Sequence, residues 1–258
     1  MRVLFTVCGR AGSKGIKGKN FREFLGYPLL YYTFSAIDLY CERNMDTEAD
    51  IAMNTDSTDM VVLLEGTKLK VHYIARKEEL MGDYVPKVAV IMDTLREMEV
   101  KMKKQYDMVV DCDITAPLRT VSDIKNIIEK HSEGSWDVTF SVTDARKNPY
   151  FNMVKLDEDG SAKLVISSNF TARQQAPVLY DMNASLYVYK PKFLKSGKHL
   201  FDGRCCAVKM MDTAVLDLDN ENDFELMQVI AKYMFRMDAY GEIQKHIVDF
   251  TIECANIK

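Results

Sequence analysis

Much of what defines the common enzyme classes is missing from this chain of 258 residues. Its six cysteines, at positions 8, 41, 112, 205, 206 and 254, include no CxxC pair, so zinc-ribbon and thioredoxin-like sites have no support. The expectation is reduced thiols in a reducing compartment. The four histidines (72, 131, 199 and 246) show neither HxxxH nor HxxE spacing, which removes the usual zinc-hydrolase signature. There is no GxSxG elbow, no GxxxxGK[ST] loop and no GxGxxG fingerprint. No apolar run approaches the ~20 residues of a membrane helix, and the first run, Val3 to Val7, is too short for a signal-peptide core. These absences lead to the expectation of a soluble, cytoplasmic protein. A net charge of −4 argues against a dedicated nucleic-acid binder and leaves room for a local basic patch.

What is present reads as an α/β protein. Apolar residues make up 47% and charged residues 28%, ordinary globular values for a chain long enough to bury a core. Short apolar runs alternate with longer amphipathic ones. Strands are expected at Val3–Cys8, Ile51–Met53, Val71–Ile74, Met108–Cys112, Val138–Val142, Ala184–Tyr189, Val208–Met210 and Val215–Leu218. Helices are expected from Pro28 to about Cys41, from near Ser57, over Val85–Lys103, over Val121–His131 and over Asn222–Phe235. In the third of these, Val88, Ile91, Leu95, Met98 and Met102 recur at spacings of 3, 4, 3 and 4, which is one helix face. Between Val142 and Ala184 the alternation breaks into short β-like runs, so 143–183 reads as an insertion. Residues 236–258 carry only a weak helical pattern.

Three clusters could carry chemistry. The first strand runs into a loop with glycines at 9, 12, 15 and 18. From Gly9 to Arg22 there are five basic residues (Arg10, Lys14, Lys17, Lys19, Arg22) and no acid. Glycines free backbone N–H groups to turn toward a ligand, and a cationic loop at a strand's carboxyl end suits a polyphosphate. Farther on, Asp217 and Asp219 alternate with leucines, which in a strand puts both carboxylates on one face. Two hard oxygen ligands suit Mg²⁺ held between protein and phosphates, although Asp219, Glu221 and Asp223 also fit a helix start. A similar pair, Asp111 and Asp113, ends the Met108–Cys112 strand and either joins that site or caps the following turn. Asn54 to Ser57 reads as a helix N-terminus.

These motifs, taken in order, resemble the acylneuraminate cytidylyltransferases. The resemblance rests on Arg10-x-x-Ser13-Lys14-Gly15-x-x-x-Lys19-Asn20, Asn54-Thr55-Asp56, Arg76 with Glu79-Leu80 and Asp83, and Thr115-x-Pro117-Leu118-Arg119. It continues through Arg173-Gln174, Asn183-Ala184-Ser185-Leu186-Tyr187 and Asp217-x-Asp219, collinear over about residues 1–235. Lys77 stands where the family has proline, and Ala184 where it has glycine. The resemblance implies a three-layer nucleotidyltransferase fold with a mostly parallel mixed sheet. It implies a homodimer joined through 143–183, an inserted β-rich dimerisation arm, with 236–258 as an extension. The implied reaction joins CTP to a nonulosonic acid, a nine-carbon 2-keto sugar acid, with Mg²⁺ or Mn²⁺, giving the CMP-sugar and pyrophosphate.

By the same resemblance Arg10, Ser13, Lys14 and Lys19 bind the triphosphate, and Lys19 and Arg10 act in catalysis together with Asp217. Asn20 and Arg76 lie near the nucleoside, and Asp217 with Asp219 holds the metal. Asp113, Arg119, Arg173, Gln174, Asn183 and Tyr187 belong to the sugar side, with Arg173 reaching the partner's site. Asp113 replaces a family glutamine. Together with Asn148, Tyr150, Phe151, Asn152 and the 169–185 block, it resembles the legionaminic-acid branch. Other readings are N-acetylneuraminate or its deaminated analogue as acceptor, a nucleotidyltransferase using GTP or a sugar phosphate, and a non-catalytic nucleotide-sugar binder.

Overall fold

The computed structural model describes residues 1–12, 15–82, 84–211 and 218–251. The chain starts in β1 (Arg2–Gly9), a strand whose odd and even positions are both apolar and buried. Such a strand must lie between two covering layers. Val3, Phe5 and Val7 face one layer and Leu4 the other.

The elements that follow are a small hairpin, β2 (Glu23–Phe24) and β3 (Tyr27–Pro28), then α1 (Leu29–Arg43), β4 (Glu48–Thr55), α2 (Thr58–Glu65), β5 (Val71–Ala75), α3 (Lys87–Met102), β6 (Met108–Cys112), α4 (Val121–Glu133) and β7 (Val138–Asp144). An outlying hairpin, β8 (Val154–Leu156) with β9 (Ala162–Leu164), precedes β10 (Tyr180–Tyr189), α5 (Pro191–Lys195), β11 (Cys205–Lys209), α6 (Glu221–Met234) and α7 (Asp238–Thr251). Seven strands form one sheet in the order β11-β7-β10-β6-β1-β4-β5. β10 pairs antiparallel with both β6 and β7, while the other pairings in this sheet are parallel.

Helices cover both faces. On one side α1, α4, α6 and α7 pack with the odd positions of β1. On the other, Ile91, Leu95 and Met98 of α3 meet Leu4, Ala52 and Val109. The stripe expected along α3 is therefore the buried one. Helix starts follow local chemistry. Pro28 precedes α1, the Ser57 hydroxyl accepts from Met60 N at 3.4 Å, and Thr120 and Asp123 form a reciprocal capping box.

One expectation changes. The weak helical pattern after 235 is a helix, but residues 236–251 are part of the domain and no appended extension, because Tyr240, Ile243, Ile247 and Phe250 of α7 complete the same core as α1. The helix start expected at 219–223 is present, with Asn220 as the cap of α6, its side chain accepting from Asp223 N, and Glu221 and Asp223 in the first turn. The strand expected at Val215–Leu218 lies outside the described residues except for Leu218, which is buried in the core without regular structure.

Candidate active site

The parallel strands deliver their loops to one rim of the sheet, where a cleft of about 690 Å³ opens. That size suits a nucleotide-scale ligand. Its walls carry Arg10, Lys19, Asn20, Arg76, Lys87, Asp113 and Asp219.

The glycine-rich loop is folded onto its own scaffold. Ala11 N donates to Asp56 Oδ1 at 2.8 Å, which fastens the loop to the end of β4. Asn20 Nδ2 donates to Arg10 O at 3.1 Å. A side chain at Gly15 would put its Cβ 1.7 Å from Asp219 O, so only glycine lets the loop close against residues 218–219. Gly18 adopts φ +63, a left-handed turn that starts the short 3₁₀ segment Lys19–Phe21. Lys19 Nζ donates to Leu218 O at 2.5 Å, which sets its ammonium beside Asp219. Arg22 serves as an anchor, paired with Glu221 at 2.5 Å and stacked over Phe224 at 4.4 Å.

On the β4–β5 side, Arg76 Nε and Nη2 donate to Asn54 Oδ1 at 3.1 Å and Asn54 O at 3.0 Å. Asn54, fully buried, is thus the mount for a cleft arginine and more than a helix-start residue.

On the β6 side a group appears that the sequence reading did not name. Lys87, the first residue of α3, places Nζ 2.8 Å from Asp111 Oδ2 and 2.6 Å from Asp113 Oδ2. Asp111 is fully buried and takes a further bond from Thr6 Oγ1 at 2.9 Å. Burial disfavours the ammonium, but the two carboxylates outweigh it, so Lys87 is held protonated well above the usual lysine range. Burial likewise opposes the Asp113 carboxylate, and Lys87 with Thr115 overcomes it, holding that group well below the usual range. Asp113 Oδ1 receives Thr115 N at 2.7 Å and Thr115 Oγ1 at 2.6 Å. The Asp111–Asp113 pair therefore embraces a lysine where the i, i+2 spacing had suggested a metal. Cys8 also lines the cleft, with its thiol pushed up by burial and therefore poorly suited to act as a nucleophile.

Of the expected sugar-side residues, only Asp113 lines this cleft. Arg119 has no exposed surface. It donates to Ser185 Oγ at 3.2 Å, Ser185 O at 3.1 Å, Thr33 Oγ1 at 3.1 Å and Asp113 O at 2.5 Å. It ties β6, β10 and α1 together and has no surface to offer a sugar. Asn183 is buried, and its Oδ1 accepts from Ser141 Oγ at 2.5 Å and Ser185 N at 3.2 Å. It braces an irregularity in β10 between Met182 and Tyr187, where Ala184 adopts φ +53. Tyr187 pairs with Asp111 in register and stacks on Tyr189 at 6.0 Å, within the sheet. Arg173 and Gln174 sit exposed on the 143–183 insertion, with Arg173 Nη2 donating to Ala145 O at 3.0 Å. Asn148 spends its side chain on Pro177 O and Tyr150 N, both at 2.9 Å, so it serves the insertion's own packing. Ser13, Lys14, Asp83 and Asp217 lie outside the described residues.

A three-layer α/β fold with a cationic, glycine-lined cleft at its strand ends defines a nucleotidyltransferase. Comparison with known proteins makes this specific. Residues 5–250 match the family model described as cytidylyltransferase. The chain is 32% identical over 232 residues to the post-translational flagellin modification protein B of Campylobacter coli, covering 89% of this chain and 95% of that one. It is 31% identical over 228 residues to the CMP-N,N'-diacetyllegionaminic acid synthase of Campylobacter jejuni, covering 88% and 94%. In fold it is similar to a CMP:2-keto-3-deoxy-manno-octonic acid synthetase complexed with CTP, with a TM-score of 0.63 at 11% identity over 90% of this chain and 99% of that one. This chain belongs to the cytidylyltransferase family, and it is a nucleotidyltransferase enzyme.

Proposed function

We propose that the protein uses CTP to activate a nonulosonic acid of the legionaminic type, releasing pyrophosphate and the CMP-sugar. The observation that carries this reading is the convergence of Arg10, Lys19, Arg76 and Asp219 on one cleft. Phosphoryl transfer asks a protein chiefly for positioning and charge neutralisation. On this reading the triphosphate lies under the 9–20 loop, with Arg10 and Lys19 on its oxygens and the nucleoside toward Asn20 and Arg76. The acceptor's anomeric hydroxyl attacks the α-phosphorus. A new O–P bond forms, the α–β bridge breaks and pyrophosphate leaves. Lys19, held beside residue 218, meets charge growing at the α-phosphate. Asp217 or Asp219 is the carboxylate suited to take the hydroxyl proton, since Asp113 is already committed to Lys87 and Thr115.

A divalent cation fits this cleft. Asp219 offers a hard oxygen whose carboxylate has no ion pair among the described residues. One or two carboxylates plus phosphate oxygens are enough to hold Mg²⁺ or Mn²⁺. Asp219, with Asp217, would hold it, and its chemistry would be neutralisation of the triphosphate.

The acceptor class follows from the legionaminic relative together with a 22% identical pseudaminic acid cytidylyltransferase from the same species. We also propose that residues 143–183 form the arm joining two copies, that Arg173 and Gln174 act across that junction, and that the enzyme works in the cytoplasm. Val154, Leu156, Val178 and Tyr180 expose apolar surface there, which suits burial against a partner.

Pyrophosphate release with CTP against N,N'-diacetyllegionaminic acid, N-acetylneuraminic acid and its deaminated analogue tests the reading. Preference for the first by at least tenfold in kcat/KM, about 1.4 kcal/mol, is expected, together with loss of turnover in EDTA. Turnover with GTP and none with CTP would refute it.

A further inference from the structure

On the β6 side of the cleft the spacing of Asp111 and Asp113 suggested either a part in the metal site or a cap on the following turn. Asp113 does cap that turn, through Thr115, and its pairing with Lys87 leaves no carboxylate free for a metal. Both oxygens of Asp113 are taken, one by Thr115 and one by Lys87. Asp111 is fully buried behind them. Asp113 and Lys87 both line the cleft, and with the Asp113 oxygens taken, the group able to reach a ligand is Lys87, with about 34% of its side chain exposed. An ammonium carries three N–H donors. Asp113 takes one of them, and Asp111 stands 2.8 Å away as an ion-pair partner whose Oδ2 accepts no hydrogen bond, which leaves N–H capacity for the cleft.

Location says which substrate this donor meets. β6 lies on the side of β1 opposite β4 and β5, and borders β10. Arg76 and its mount Asn54 occupy the β4–β5 side, and the glycine-rich loop follows β1 itself. Once nucleoside and triphosphate fill those two positions, the acceptor is left the β6 side. Charge says which acceptor group it suits. Lys87 with Asp111 and Asp113 sums to −1, which opposes the carboxylate of a sugar acid but favours a neutral oxygen, a hydroxyl or an acyl carbonyl. The carboxylate finds its counter-charges toward Arg10 and Lys19 instead.

We propose that Lys87 is an acceptor-specificity residue, donating an N–H not taken by Asp113 to a hydroxyl or acyl-carbonyl oxygen of the sugar, with Asp111 and Asp113 as positioning residues that aim it. This deepens the proposed function and rests on it. A lysine so tightly held makes no proton acceptor, so it binds and does not deprotonate. Its aim is set by two strand-end carboxylates two residues apart, which no rotation of Lys87 alone can reproduce.

The test is steady-state pyrophosphate release, with CTP and N,N'-diacetyllegionaminic acid varied in turn. Lys87→Gln should raise the acid's KM tenfold or more and leave the KM for CTP within twofold. Asp113→Asn, which loosens the aim and keeps the ammonium, should raise the acid's KM severalfold. The acid's KM in the unaltered enzyme should stay level from pH 7 to 9.5. Lys87→Gln strands Asp111, so if that variant fails to fold, Lys87→Gln/Asp111→Asn/Asp113→Asn, neutral throughout, replaces it with the same expectation. A raised KM for CTP with the acid's unchanged would make Lys87 a nucleotide ligand and overturn the inference. Unchanged values for both would make the cluster purely structural. If the unaltered enzyme turns over none of the three acids with CTP, the proposed function itself fails and takes this inference with it.

Discussion

The energetics of individual residues are clearest at Arg119. A guanidinium with no exposed surface is tolerable only when its donors are met, and here a hydroxyl pair and two carbonyls meet them without a carboxylate. Removing it strands several buried acceptors at about 1–3 kcal/mol each. Arg119→Met should therefore cost about 3 kcal/mol or more, a fall in Tm of roughly 6–12 °C for a chain of this size, measurable by scanning calorimetry without ligand. A variant with an unchanged Tm and a raised KM for the acid would return Arg119 to the sugar site. Lys77, at the position where the resemblance expects proline, has found a local role of its own, pairing with Asp93 and with Glu97 at 2.8 Å.

Among elements, the glycine-rich loop shows how spacing becomes geometry. Its glycines are not equivalent. At Gly12 an added Cβ meets nothing within 4 Å, whereas at Gly15 it strikes the backbone of Asp219. A backbone oxygen cannot step aside as a flexible side chain can, so Gly15→Ala must push the loop and the 218–219 segment apart. That separates Lys19 from Leu218 O and from the carboxylate beside it. Gly15→Ala should lower kcat/KM for CTP by two orders of magnitude or more while shifting Tm by only a few degrees, and Gly12→Ala should lose far less. Comparable losses in the two variants would show that closure against Asp219 is unimportant. β10 carries the opposite case. Ala184 sits at φ +53, a conformation that costs an L-residue about 1 kcal/mol, and this accounts for the glycine that the resemblance expects there.

For the molecule as a whole, a seven-stranded sheet lies between two helical layers, and of the 143–183 insertion residues 145–179 lie outside that sheet, its two ends belonging to β7 and β10. Arg173 and Gln174 do not line the cleft, and their proposed roles are exercised across a junction between two copies. Mixing subunits carrying Arg173→Ala with subunits carrying Asp219→Asn should restore part of the lost pyrophosphate release, because one site of each mixed dimer would hold both native residues. A heterodimer confirmed by mass that stays inactive would place Arg173 in its own subunit's function or in none.

The sequence alone determined the layers, because they follow from local periodicity. The 3-4 apolar stripe of α3 and the two-sided apolar run of β1 each dictate a burial pattern whatever their neighbours do. The cationic glycine-rich loop was legible for the same reason, since its residues are contiguous. Long-range pairing decided the rest. Lys87 lies 24 and 26 positions from Asp111 and Asp113, and nothing in its own neighbourhood signals an ion pair. The weak pattern of α7 became a core helix only when α1 offered it a face. Arg119 and Asn183 looked like ligand residues because polar groups in an ordered motif read alike whether they face a substrate or hold a strand end. Solvent exposure separates those two roles, and exposure is set only when β6 and β10 come together.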